Sequence, residues 1–159
     1  MKILLILLLI STNALSEALY IGMGSLPVAD DGNDGEVYSL MLQDDDCKYS
    51  VAYFKEYGRT PWTPRERWPG RIAEKHWTAS ITKTIYKKEY TKNFNFYVDF
   101  GFSYASKLSR VNSTHILFRE SFGFEYKDLR LYWRHTSNAG IKGSNTGEDA
   151  IILEYSFNL

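Results

Sequence analysis

The chain has 159 residues, with 19 basic and 19 acidic side chains and a formal net charge of zero. That length holds one domain, and the charge balance excludes the bulk positive surface with which a protein grips nucleic acid. Cys47 is the single cysteine, which excludes an intrachain disulfide; with no histidine next to it in sequence, it reads as a passively buried thiol rather than a nucleophile.

The segment Met1 to Ser16 carries one Lys, a run of Leu and Ile, and then Asn13-Ala14-Leu15-Ser16. It reads as a secretory signal peptide cut after Ser16, leaving residues 17–159 as the mature domain. The apolar run Ile3 to Ile10 is shorter than the roughly 20 residues that a membrane-spanning helix needs, so any crossing must be made by strands. The 12 Tyr, 9 Phe and 4 Trp are spread along the chain instead of gathered in one segment. That distribution fits the aromatic girdles of an outer-membrane barrel, and composition alone leaves a periplasmic β-sandwich level with it.

Strand signals come in order at Leu19 to Gly24, Val37 to Leu42, Tyr49 to Lys55 and Trp77 to Ile85. The clearest follows, Phe94 to Ala105, where Phe94, Phe96, Val98, Phe100, Phe102 and Tyr104 alternate with Asn95, Tyr97, Asp99, Gly101, Ser103 and Ala105. An unbroken aromatic face beside a polar, small one suits lipid outside and a packed polar lumen inside. Ile116 to Tyr126 repeats the pattern and puts Arg119 and Glu125 inward, to pair with each other or with neighbouring charges. Asp128 to Ser137 and Asp149 to Leu159 bring the count to eight.

The connections alternate in length. Ser25 to Glu36, Glu56 to His76 and Asn138 to Glu148 are long; Gln43 to Cys47 and Tyr126 to Asp128 are short; Tyr86 to Asn93 and Ser106 to Thr114 are moderate. Outer-membrane barrels have short periplasmic turns and longer outer loops, so the expected fold is all-β, an eight-stranded antiparallel transmembrane β-barrel with its N-terminus in the periplasm. Within the loops, Asp30 to Gly35 lacks the ligand spacing of an EF-hand and reads as a solvated turn. Pro61 to Arg71 pairs Trp with Arg and fits either contact with phosphorylated sugar head groups or packing on the rim. The sequon Asn112-Ser113-Thr114 is incidental behind a bacterial export signal.

In the seventh strand, Leu129, Leu131 and Trp133 share a face with His135 and Ser137, because residues two apart point the same way. Both polar residues therefore continue a lipid-facing row at an outer strand end, the level of the outer leaflet. In the eighth strand the apolar face Ile151, Leu153, Tyr155, Phe157 and Leu159 extends back to Asp149, and hairpin neighbours bring it toward His135. The types fit nucleophilic catalysis: a base takes the serine proton, and a carboxylate fixes the imidazole tautomer. Glu148 has the opposite parity and is the fallback acid. Asn138 and the amides at Ala139 and Gly140 follow the serine and are candidate oxyanion donors. His76 and His115 lack a second ligand of matching parity and read as exposed or head-group-facing, not as a zinc site.

The run His135-Thr136-Ser137-Asn138-Ala139-Gly140-Ile141, followed by Asn145-Thr146-Gly147-Glu148-Asp149, resembles the C-terminal signature of the lipid A 3-O-deacylases (PagL-type), which are eight-stranded outer-membrane barrels. The resemblance covers the last two strands and their loop. It implies His135 as base, Ser137 as nucleophile, Asn138 or Gly140 at the oxyanion, and the acid, commonly Glu in the family, at Asp149. The C-terminal Leu159 departs from the aromatic that often closes such barrels.

The expected function is a serine esterase that removes the ester-linked 3-position acyl chain of lipid A through an acyl-enzyme, without metal or cofactor. Its partner is lipopolysaccharide in the outer leaflet of a Gram-negative outer membrane; no nucleic acid is involved, and a homodimer is left open. Two other readings stand beside it: a non-catalytic barrel for envelope anchoring or adhesion, and an acyltransferase using the same triad.

Overall fold

In a computed structural model, residues 18–26, 35–56, 74–109, 112–141 and 147–158 are described. The signal segment, most of the Asp30 to Gly35 turn, the Pro61 to Arg71 loop and Leu159 lie outside them. Eight strands, β1 (Ala18–Ser25), β2 (Glu36–Asp44), β3 (Cys47–Phe54), β4 (His76–Thr91), β5 (Phe94–Ala105), β6 (Ile116–Tyr126), β7 (Leu129–Ser137) and β8 (Glu148–Asn158), pair in sequence order. β1 also pairs antiparallel with β8 and so closes the barrel. Closure gives every strand two neighbours, which removes the open edges that lipid cannot satisfy.

Alternation sets which side chain goes where. On β5, Phe100, Phe102 and Tyr104 are exposed, while Tyr97, Asp99, Gly101, Ser103 and Ala105 are buried. Aromatic pairs tile the outer face, including Phe94 with Phe124 at 5.5 Å and Phe122 with Trp133 at 4.9 Å between ring centroids. Inside, buried polar groups pair with one another, which offsets the cost of taking them out of water. Lys48 Nζ donates to Asp99 Oδ1 at 2.6 Å, and Thr84 Oγ1 donates to the same carboxylate at 2.8 Å. Arg130 reaches Glu125 and Gln43, both at 2.9 Å, while Ser39 and Tyr132 both donate to Glu154. Glu125 therefore pairs with Arg130, and Arg119 turns to Ser50. Val37, Phe54, Tyr132 and Ile152 form a buried apolar cluster with Tyr97.

One end of the barrel is closed by the two-residue turns 45–46, 92–93 and 127–128; the long connections are all at the other. The expected loop Tyr86 to Asn93 is a correction. β4 continues to Thr91 against β5, with register shifts between Thr84 and Tyr86 and between Glu89 and Thr91. Each irregularity flips the inward–outward order by one residue, which hides the strand from a period-two reading. β3 stops pairing at Lys83, so the lower part of β4 runs past it beside β5 alone. Cys47 is half-buried at the start of β3. Asn112 of the sequon is buried, its backbone N–H accepted by Ser109 Oγ at 3.0 Å.

Candidate active site on the outer face

The ends of β7 and β8 at the long-loop rim bring three of the sequence candidates to one exterior patch. Register sets His135 directly opposite Asp149 and Thr136 opposite Glu148. His135 Nδ1 lies 2.9 Å from Asp149 Oδ1. A carboxylate accepts, so that nitrogen carries the proton and the lone pair of neutral His135 is on Nε2. Trp133, two residues back on the same face, stacks on the imidazole at 5.6 Å with 12° between planes. Gly147 closes the ring's edge: its φ is +76°, and a Cβ there would lie 2.2 Å from His135 Cε1 and 2.7 Å from Nε2. Only glycine fits that close approach without displacing the imidazole.

Ser137 is half-buried two residues beyond His135, and the Ala139 N–H points to its Oγ at 3.4 Å. The chain then turns sharply, with φ of +52° at Ala139 and +75° at Gly140, and Ile141 N–H returns to the Asn138 carbonyl at 3.0 Å. Asn138 holds this turn together. Its Oδ1 accepts from Gly140 N–H at 2.9 Å and its Nδ2 donates to Ser113 Oγ at 2.8 Å, with the side chain buried. Asn138 and Gly140 are thus bonded to each other beside the serine.

Glu148 goes the other way. Its carboxylate lies inside the barrel, 3.2 Å from His76 Nε2, with both side chains almost fully buried. The His76 ring stacks on Phe54 at 4.9 Å and 4°, and its Nδ1 lies 2.9 Å from the Glu74 carbonyl. The expectation of an exposed or head-group-facing His76 is therefore corrected. β4 begins one residue earlier than its apolar pattern shows, and His76 shares the lumen parity of Thr78, Ser80 and Thr82. His115 is exposed, stacked on Tyr104 and bonded through Nδ1 to the Ala105 carbonyl at 2.7 Å.

One residue at the patch escaped the sequence reading. Glu120 stands on the outward row of β6 between Phe118 and Phe122, and register sets it opposite His135 on the side away from Asp149. A carboxylate on a lipid-facing row is costly, and its usual meaning is function. The available signal was a single acid interrupting an aromatic run. Beside it, Phe118 stands opposite Ser137. From Phe118 an apolar groove of about 430 Å³ extends over Phe102, Ile116 and Ile141.

A closed eight-stranded barrel with a lipid-facing exterior, a filled polar lumen and a Ser–His–carboxylate patch at one rim defines an outer-membrane hydrolase acting on lipid. A model of the lipid A 3-O-deacylase (PagL) family matches residues 44–158, and the chain belongs to that family. It is a lipid A 3-O-deacylase of the bacterial outer membrane, a hydrolase of an ester bond. Its fold is similar to the crystal structure of the outer membrane enzyme PagL, with a TM-score of 0.57 and 16% identity, over 89% of this chain and 99% of that one. No curated protein matches the chain.

Proposed function

We propose that the deacylation runs through a covalent acyl-enzyme on Ser137. His135 takes the proton from Ser137 Oγ as that oxygen attacks the ester carbonyl carbon, and Asp149 holds the imidazole and stabilises its charged form. The tetrahedral intermediate collapses as the bond from carbonyl carbon to sugar oxygen breaks, and the imidazolium gives its proton to that oxygen. Water, deprotonated by the same imidazole, then attacks the acyl carbon; the Ser137 oxygen leaves with the proton, and a fatty acid is released. The Ala139 N–H, already directed at Ser137 Oγ, supplies one donor for the oxyanion. Gly140 N–H supplies another by exchanging its bond to Asn138 Oδ1 for the developing charge, and Asn138 Nδ2 a third by exchanging its bond to Ser113 Oγ.

The observation that carries this reading is the His135–Asp149 contact on the same outward face as Ser137. Residues 1–16 act as the cleaved export signal. The test is mass spectrometry of lipid A from cells expressing wild type, Ser137→Ala or His135→Ala. The variants should leave on lipid A the acyl chain that wild type removes, and deacylation equal to wild type would overturn the serine mechanism.

A further inference from the structure

We infer that the rim of β3, β4 and β5 holds the phosphorylated head group of a second lipopolysaccharide molecule, one that is bound there but not cut. A hollow of about 540 Å³ opens at this rim, lined by Tyr53, Lys75, Trp77, Ser106 and Lys107. The serine mechanism is not needed for this reading, which stands apart from the catalytic patch.

The hollow lies well round the barrel from that patch. Register links Ser137 to Phe118, Phe102 and Ile81 in turn, and Trp77 stands four residues beyond Ile81 towards the long-loop rim. With about 4.8 Å between strands and about 3.3 Å per residue along one, Trp77 is about 20 Å from Ser137 over the barrel wall. A register row that starts at Ala18, at the short-turn end of β1, climbs to Glu148 at the long-loop end of β8. Strands therefore lean towards β1 as they rise, so the two displacements cancel in height and add around the ring. Both sites stand at one level, on different sides of the barrel. A phosphate on the sugar that bears the scissile ester is only a sugar's width from the carbonyl at Ser137, so the hollow belongs to a neighbouring molecule.

Its chemistry suits an anionic head above acyl chains. The outward row beside it is aromatic: Trp77 packs on Tyr104 at 5.8 Å, Tyr104 stacks on His115 at 5.5 Å, and Tyr53 stands opposite Trp77. Trp and Tyr mark the level at which hydrocarbon gives way to head groups. Two ammonium groups stand there with one carboxylate. Lys107 Nζ lies 2.9 Å from Glu74 Oε2, with the side chains 48% and 66% exposed, so the pair is weak and open to exchange. Lys75 makes no ion pair among the described residues. Ser106 is fixed between them: its N–H donates to the Trp77 carbonyl at 2.9 Å, and Trp77 N–H donates to its Oγ at 3.0 Å. The hydroxyl thereby keeps its own proton for a phosphate oxygen. A phosphate set between the lysines takes charge-assisted bonds from both.

Native mass spectrometry of full-length barrels in detergent, with folding checked by heat-modifiable gel mobility, reads the binding. The probe is lipid A already lacking its 3-position chain, which offers the enzyme no bond to cut. Wild type should bind one molecule in a step that needs phosphate, and the same lipid stripped of its phosphates should lose that step. Lys75→Gln combined with Lys107→Gln should weaken it about tenfold or more, and Ser106→Ala about fivefold. Lys88→Gln combined with Lys92→Gln, which removes two exposed charges at the short-turn end, should bind as wild type does. Hydrolysis of p-nitrophenyl butyrate should be equal in all of them. Binding unchanged in Lys75→Gln with Lys107→Gln, or weakened equally by the short-turn pair, overturns the site. A rise in KM for intact lipid A that matches the lost affinity overturns the assignment to a second molecule, because the hollow then holds the substrate's own head group.

Discussion

Asp149 and Glu148 are adjacent in sequence yet serve opposite sides of the barrel wall: Asp149 meets His135 outside at 2.9 Å, and Glu148 meets His76 inside at 3.2 Å. A strand makes this separation unavoidable, since neighbouring side chains point to opposite faces.

Conservative replacements should separate the two. Asp149→Asn leaves the imidazole without a charged partner and is expected to lower deacylation about ten-thousandfold. Glu148→Gln is expected to leave deacylation in place while destabilising the barrel by about 1–3 kcal/mol, because His76 remains buried against a weaker partner. Lipid A mass spectrometry reads the first effect and urea unfolding in lipid vesicles reads the second. Loss of activity in Glu148→Gln with full activity in Asp149→Asn would reverse the assignment.

Gly147→Ala should cost about a hundredfold in turnover. The new methyl falls 2.2 Å from His135 Cε1, and the ring cannot yield without leaving Trp133 or Asp149. Gly140 has a similar φ of +75° but open space where a Cβ would go. Comparing the thermal unfolding of Gly140→Ala and Gly147→Ala therefore isolates the clash with the ring from backbone strain, and the Gly147 variant should be the less stable.

Glu120→Gln should lower turnover by about tenfold, through loss of a negative charge opposite the imidazole that becomes positive during the reaction. Glu120→Leu should lower it equally while making the barrel more resistant to urea, since the lipid face then lacks a charge. Equal turnover in all three proteins would remove Glu120 from the site.

Lys48→Met should destabilise the folded barrel by about 3–5 kcal/mol, because Asp99 would be left charged and buried with hydroxyls alone as partners. The double variant Lys48→Met, Asp99→Leu should recover much of that loss. Both read out as urea midpoints followed by tryptophan fluorescence.

Where side chains alternate cleanly, the sequence alone was sufficient. Phe94 to Ala105 matches β5, Asp128 to Ser137 covers β7 with one residue to spare, and parity alone set His135, Ser137 and Asp149 on one face. Period two fails where a bulge adds a residue, which is why the lower part of β4 reads as a loop. It also gives no hint of cross-strand distance: His76 and Glu148 lie 72 positions apart in sequence, and only closure of the ring sets them together. Asn138 shows a third limit. Its amide is tied to Ser113 and Gly140 by the fold of two loops, and no pattern within one strand encodes that bond.

The lumen has one more consequence. Lys48, Asp99, Arg119, Arg130, Arg134 and Glu154 fill the bore, each almost sealed from solvent. Among the described residues these side chains pack the bore as a solid pillar, so the barrel should conduct no ions in planar bilayers. A cell can then carry many copies of a lipid-cutting enzyme in its outer barrier without making that barrier leak.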